Sequence, residues 1–382
     1  MKRAGLLLIV FSLVAGLLPF RVRALDLNVA AKSAVLMDVA TGTILYEQNA
    51  REALAPASVT KVMTMLLIME AIDSGKIGWD DTVTASEAAA AKGGSQIFLK
   101  VGETMSVSDM VKSIAVSSAN DCACAMAEHL AGSESAFVDM MNTRAQELGM
   151  ADTHFVNCTG LDDDPEAASH RTSAHDIALM SRELLKNHSG IKKFTTIWMD
   201  TVRNGAFGLS NTNKMVRFYD GCTGLKTGFT DGAGYCLSAS AQRDGIELIA
   251  VVMGSKTSAE RFAAAKGMLD YGFANFALYQ PKIPEDTIVP VTLGKSSTVS
   301  AVPSESAQLL VDKNQANSIT TEILLEPAVT APVSTGQALG TLVIKSEGQI
   351  LRQIPLVAET AIDRLTWGDL TVKILRQIAM AK

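Results

Sequence analysis

Ser58 and Lys61 stand three residues apart in "APASVTKVMT" (55–64), where a polar loop turns into a long apolar run. On a helix that spacing puts both side chains on one face, so a hydroxyl and an amine meet. A lysine facing an apolar interior loses hydration, which favours its neutral form and makes it a base able to take the serine proton. Amide dipoles at a helix start favour the negative charge that then develops on the serine oxygen. The plainer alternative is a cap and a solvated amine. The pattern alone does not decide between them, since Ser189 and Lys192 share it in the hydrophilic "HSGIKK".

Acyl transfer at a serine needs more than a base: a proton relay to the leaving group, donors for an oxyanion, and a grip on the substrate. Two further stretches carry such groups, "SSAND" with Ser118 and Asn120, and "LKTGFTD" with Lys226, Thr227 and Gly228. Glycine at 228 lets another backbone approach a strand closely. In isolation Ser118 and Asn120 also read as a local loop motif, and Lys226 as an edge-strand charge.

The elements that must hold these groups are legible from periodicity. "SAVLMDVATGTILYEQN" (33–49) has two β-rich runs around a turn, and residues 58–73 are apolar nearly all round after Lys61, as in a buried helix. Ser106/Asp109 and Ser173/Asp176 are spaced as helix-start capping pairs, and "SESAFVDMMNTRAQELGM" is a further helix. Residues 222–254 read as three strands joined by the tight turns "TDGAG" and "RDG", hence antiparallel. The expectation is an α+β domain, an antiparallel sheet with a helical cluster. After "QPKIPED" (280–286) short alternating runs ("TIVPVTL", "AQLLVD", "ITTEILLE", "ALGTLVI", "QILRQIPLVA") predict a small all-β sandwich.

The first 24 residues read as a signal peptide, with Lys2 and Arg3 ahead of a short apolar core and a small-residue cleavage site at Ala24. Removing them takes four basic residues from 34, leaving 30 Lys+Arg against 40 Asp+Glu, a formal charge of -10 that offers nothing to nucleic acid. Five cysteines are too few and too irregular for a disulfide framework, and they read as small buried hydrophobes. No CxxC or HExxH occurs, so no metal is expected, and no organic cofactor. In the tail, Trp367, Leu370, Ile374, Ile378 and Ala381 recur at helical spacing, the pattern of a helix that packs on the sandwich or lies on a membrane surface. The division expected is 1–24 signal peptide, 25–281 catalytic domain, 282–364 β-sandwich and 365–382 amphipathic tail.

Ser-x-x-Lys, Ser-x-Asn and Lys-Thr-Gly in that order form the signature set of penicillin-recognising serine enzymes. The chain resembles the serine D-alanyl-D-alanine carboxypeptidases, the low-molecular-mass penicillin-binding proteins, through "APASVTKVMT", "GGSQIFL", "SSANDCACAMAEH", "THFVN", "DGCTGLKTGFTDGAGYCLSASA" and the alternating C-terminal third. The resemblance implies a hydrolase that removes the terminal D-alanine from peptidoglycan stem peptides in cell-wall and cell-shape maintenance. It implies β-lactams as covalent inhibitors, and a place on the outer face of the bacterial cytoplasmic membrane, which favours the membrane-surface reading of the tail.

Carried over residue by residue, Ser58 is the nucleophile, Lys61 its base, Ser118 and Asn120 the proton shuttle and acyl-chain hold, and Lys226 the source of positive potential. Backbone amides of Ser58 and Phe229 form the oxyanion hole, Gly228 admits the substrate backbone, and Thr227 and Arg261 grip the terminal carboxylate. The middle motif has Ala119 where many relatives have glycine, and Phe229 stands where some carry histidine. An endopeptidase on peptide crosslinks would share the same set. A β-lactamase would need a glutamate with an asparagine four residues on; Glu166 has His170 there instead. A catalytically silent peptidoglycan-binding protein is the third alternative, against which the intact motifs stand.

Overall fold

A computed structural model of the chain describes residues 27, 29–163 and 165–372. The expected signal peptide and residues 373–382 of the tail lie outside the described residues. The principal sheet has five strands: β1 (Ser33–Asp38), β2 (Ile44–Gln48), β3 (Cys222–Thr230), β4 (Gly234–Arg243) and β5 (Ile246–Ser255), in the order β2-β1-β5-β4-β3. Every pairing is antiparallel. Because side chains alternate across a strand, Val35 and Met37 of β1 enter one apolar cluster and Ala34 and Leu36 the other. On β5 Ile249 and Val251 face the first cluster, Leu248 and Ala250 the second. β3 is an edge strand.

One face carries the helical cluster: α1 (Lys61–Asp73), α2 (Val107–Ser117), α3 (Asn120–Ala131), α4 (Glu134–Glu147) and α5 (Ala174–Asn187). Both capping pairs hold: the Asp109 N–H donates to Ser106 Oγ and the Asp176 N–H to Ser173 Oγ, each at 3.1 Å. α1 is buried from Lys61 through Met69, as its unbroken apolar sequence requires. The expected helix start at Ser58 is instead a 3-10 turn, Ala57–Thr60, from which α1 continues. α6 (Ser258–Asn275) covers the opposite face and opens with a full capping box between Thr257 and Glu260.

Past α6, β6 (Phe276–Tyr279) pairs with β7 (Leu309–Asp312), so a strand before the 280–286 stretch is tied to one after it. The remaining C-terminal strands form a six-stranded sheet around a core that includes Val289, Val299, Leu342, Ile354 and Leu356. Its member Thr298–Pro303 is not among the runs read from sequence, where the serine, threonine and terminal proline mask a half-buried strand. A helical segment begins at Trp367, whose side chain is 87% exposed. Among the described residues no helix is long and apolar enough to cross a membrane.

Candidate active site

Ser58 sits in the Ala57–Thr60 turn, directly after Ala57 at φ 48°, a left-handed conformation unfavourable for any residue with a Cβ. Lys61 is the first residue of α1, and its Nζ lies 3.0 Å from Ser58 Oγ and 2.8 Å from the carbonyl oxygen of Thr159. Its side chain is fully buried, and loss of hydration lowers the ammonium pKa to about 7, opposed in part by Cys158 and Asp121. Near neutrality the amine is therefore partly uncharged. With one N–H committed to the Thr159 carbonyl, the lone pair is free to accept the Ser58 hydroxyl proton. Asn157 shapes that loop, its Oδ1 accepting from the Thr159 and Gly160 N–H groups at 3.1 and 2.6 Å. The sequence reading missed Thr159, because a backbone carbonyl leaves no residue-type signal.

Ser118 and Asn120 occupy the junction of α2 and α3. Ser118 caps α2 in the left-handed conformation (φ 62°) and is 3% exposed. Asn120 opens α3; its Nδ2 donates to Gly93 O at 2.8 Å and its N–H to Ser95 O at 2.7 Å. Its Oδ1 is buried with no partner among the described residues. The neighbouring Asp121 joins Cys158 in partly offsetting the desolvation of Lys61.

On β3, Lys226 is buried and donates to Thr227 O at 2.8 Å. Burial, then the positive charges of Lys61 and Arg261, hold its pKa well below the usual lysine value. Thr227 Oγ1 meets Thr212 Oγ1 at 2.6 Å, a partner the motif reading did not anticipate. A Cβ placed on Gly228 would lie 2.7 Å from Pro56 O and 3.1 Å from Ser58 N, so only glycine lets the edge strand close on the nucleophile turn. Phe229 is 49% exposed and its ring stacks on Tyr235 at 4.3 Å between centroids.

Arg261, expected to grip the terminal carboxylate, bonds to the protein's own backbone. It projects from α6 and is 6% exposed; its Nη1 donates to the carbonyls of Gly228 (3.0 Å) and Cys236 (3.1 Å), while Nε is buried without a partner. Desolvation lowers its pKa to about 10. Its bonds brace β3 behind the glycine.

Glu166 lies exposed on the 3-10 turn Pro165–Ser169, whereas His170 is buried and bonded to Thr60 Oγ1 and the Val156 N–H. The two do not form a water-orienting pair. All five cysteines are free and four are buried, but Cys124 and Cys158 are not plain hydrophobes. Their Sγ atoms contact the Glu134 carboxylate at 3.8 and 3.2 Å, and Lys92 neutralises it at 2.6 Å. Among the described residues, the one grouping with metal-ligand spacing, Glu70, Glu183 and His188, already binds Arg144 through both glutamates.

The model of the D-alanyl-D-alanine carboxypeptidase family matches residues 20–257. The chain belongs to the D-alanyl-D-alanine carboxypeptidase family. The model of the penicillin-binding protein 5 C-terminal domain matches residues 276–364. The family member D-alanyl-D-alanine carboxypeptidase DacF of Bacillus subtilis (strain 168) is 45% identical over 343 residues, covering 88% of this chain and 87% of its own. Penicillin binding protein 5 from Haemophilus influenzae superposes with a TM-score of 0.77 at 30% identity, over 88% of this chain and 98% of that one. Penicillin-Binding Protein D2 from Listeria monocytogenes, solved in an ampicillin-bound form, gives a TM-score of 0.57 at 33% identity over 65% of this chain and 100% of that one.

Proposed function

We propose that this serine-type D-alanyl-D-alanine carboxypeptidase removes the terminal D-alanine from peptidoglycan stem peptides through an acyl-enzyme on Ser58, and that β-lactams acylate the same oxygen. The observation that carries the reading is the 3.0 Å contact between Ser58 Oγ and a buried Lys61 whose pKa is drawn to about 7. Lys61 takes the hydroxyl proton as Oγ attacks the carbonyl carbon of the penultimate D-alanine. The oxyanion collects on the N–H groups of Ser58 and Phe229, a role supported by the fit of Gly228 against the Ser58 amide.

As the tetrahedral intermediate collapses, the C–N bond breaks and the leaving amine takes its proton through Ser118, leaving D-alanine and the acyl ester. Water then repeats the steps in reverse sense and frees Ser58. The substrate lies extended along the edge of β3, a main-chain pairing mode open to an edge strand. Lys226 and Thr227 hold its carboxylate end, Arg261 supplies charge from behind the strand, and Asn120 Oδ1, unpartnered in the protein, accepts a substrate N–H.

Exposure of Glu166 and the engagement of His170 stand against rapid β-lactamase turnover. The protein acts outside the cytoplasm, and the tail lays its apolar residues on the membrane surface, a reading supported by the exposure of Trp367.

Intact mass over hours after mixing with penicillin, together with D-alanine release from a peptide ending in Lys-D-Ala-D-Ala, tests the assignment. A persistent adduct and D-alanine release, both abolished by Ser58→Ala, are expected; release that survives the substitution overturns it. Failure of Ile374→Asp with Ile378→Asp to free the protein from membranes would contradict the tail's role.

A further inference from the structure

One buried hydrogen-bond chain has no part in the acid–base steps. His170 Nδ1 accepts from the Val156 N–H at 3.1 Å, which leaves the ring proton on Nε2. Nε2 donates to Thr60 Oγ1 at 2.8 Å, and the Thr60 hydroxyl donates to the Ala57 carbonyl at 2.9 Å. Thr60 is 0% and His170 3% exposed, so water does not compete.

Both ends of the chain bear on the reacting groups. Ala57, at φ 48°, directly precedes Ser58. Val156 opens the loop that brings the Thr159 carbonyl to Lys61. The two segments also touch at Gly160, where an added Cβ would fall 1.8 Å from the Ala57 oxygen.

We propose that His170 is a positioning residue: through Thr60 it holds the Ala57–Ser58 turn, and through Val156 it holds the loop that aligns Lys61. The proposal rests on Ser58 as the acylated residue. A left-handed alanine is strained and persists only where its surroundings over-determine it. The Thr60 hydroxyl supplies that constraint by pinning the Ala57 carbonyl. Burial, with His154, Arg171 and Lys61 adding to it, lowers the His170 pKa to about 4, so the ring is uncharged at neutral pH and the Val156 N–H sets its tautomer.

The test is saturation kinetics of acylation by a fluorescent penicillin on the mature chain, separating the acylation rate constant from the initial binding constant. Thr60→Val is expected to slow acylation about 10- to 100-fold, the scale of a small nucleophile misplacement, with initial binding changed less than ~2-fold. Thr60→Ser, which keeps the hydroxyl, restores most of the rate. His170→Phe loses a similar factor, and the double variant loses no more than the worse single one, as for members of one chain.

A cooperatively folded Thr60→Val that acylates at the wild-type rate overturns the proposal, as does a loss carried wholly by binding or losses that multiply. Should His170→Phe fail to fold, the Thr60 pair decides. Ser58→Ala run alongside separates the premises: an adduct there removes the nucleophile assignment, while no adduct there with a wild-type rate in Thr60→Val removes the positioning role alone.

Discussion

The base assignment makes acylation depend on pH in a defined way. Lys61 falls from the ordinary 10.5 to about 7 because its ammonium is stripped of water. Only the neutral amine accepts the Ser58 proton, so activity is present above about 7 and is lost as pH falls through it. The logarithm of acylation efficiency should rise with unit slope from pH 5 and level off near pH 8. At pH 8 an amine titrating at 7 is roughly 90% neutral and one at 10.5 roughly 0.3%, so burial supplies about 300 times more base.

The same drop sets a stability cost on the order of 5 kcal/mol, at ~1.36 kcal/mol per tenfold change. Between 7 and 10.5 the unfolded chain holds the proton and the folded chain does not, so this cost lessens as pH rises and is full below 7. The assay is stopped-flow acylation from pH 5 to 9, with urea unfolding of wild type and Lys61→Met at pH 6. A flat profile, a midpoint near 10, or a Lys61→Met variant no more stable than wild type would refute the reasoning.

Gly228→Ala drives a Cβ to 2.7 Å from Pro56 O and should cut acylation about 100-fold, read as the acylation rate constant, at a cost of about 1–3 kcal/mol by thermal melting. Arg261→Met strands the Gly228 and Cys236 carbonyls and should cost about 1–3 kcal/mol for each, checked by the urea midpoint; no change would contradict the bracing role. Burial raises the thiol pKa of Cys222 and Cys236 to about 11 and that of Cys122 well above 9.0, while a hydrogen bond with Cys124, and then burial, hold Cys158 well above 9.0. A disulfide reagent at pH 8 should therefore spare these four in the folded protein and label all five cysteines once it is unfolded. Rapid native labelling of any of the four would overturn that.

What was legible in the sequence followed from residue type. Ser58 with Lys61, Ser118 with Asn120, and Lys226 to Gly228 announce their chemistry, and the capping pairs at Ser106 and Ser173 announce helix starts. What escaped is carried by the backbone or by long-range packing. Thr159 acts through its carbonyl, Thr212 through a contact across the fold, and Arg261 through bonds to a strand remote in sequence. Within the sheet order β2-β1-β5-β4-β3 the two turn-joined groups were legible, but the pairing of β1 with β5 was hidden, since β1 is buried on both faces and its pattern names no partner. His170 looked like a missing asparagine in sequence, and its two buried bonds emerge only in three dimensions.

The pairing of β6 with β7 bears on how the protein can be cut. A chain ended at 281 would keep Phe276–Tyr279 and discard its partner Leu309–Asp312, leaving an unpaired edge that begins with a buried phenylalanine. Such an edge invites pairing with a second molecule. A chain ended at Asn275, where α6 stops, removes the orphaned strand with its partner, so the cleaner place for the knife is the end of the helix, before the linker itself.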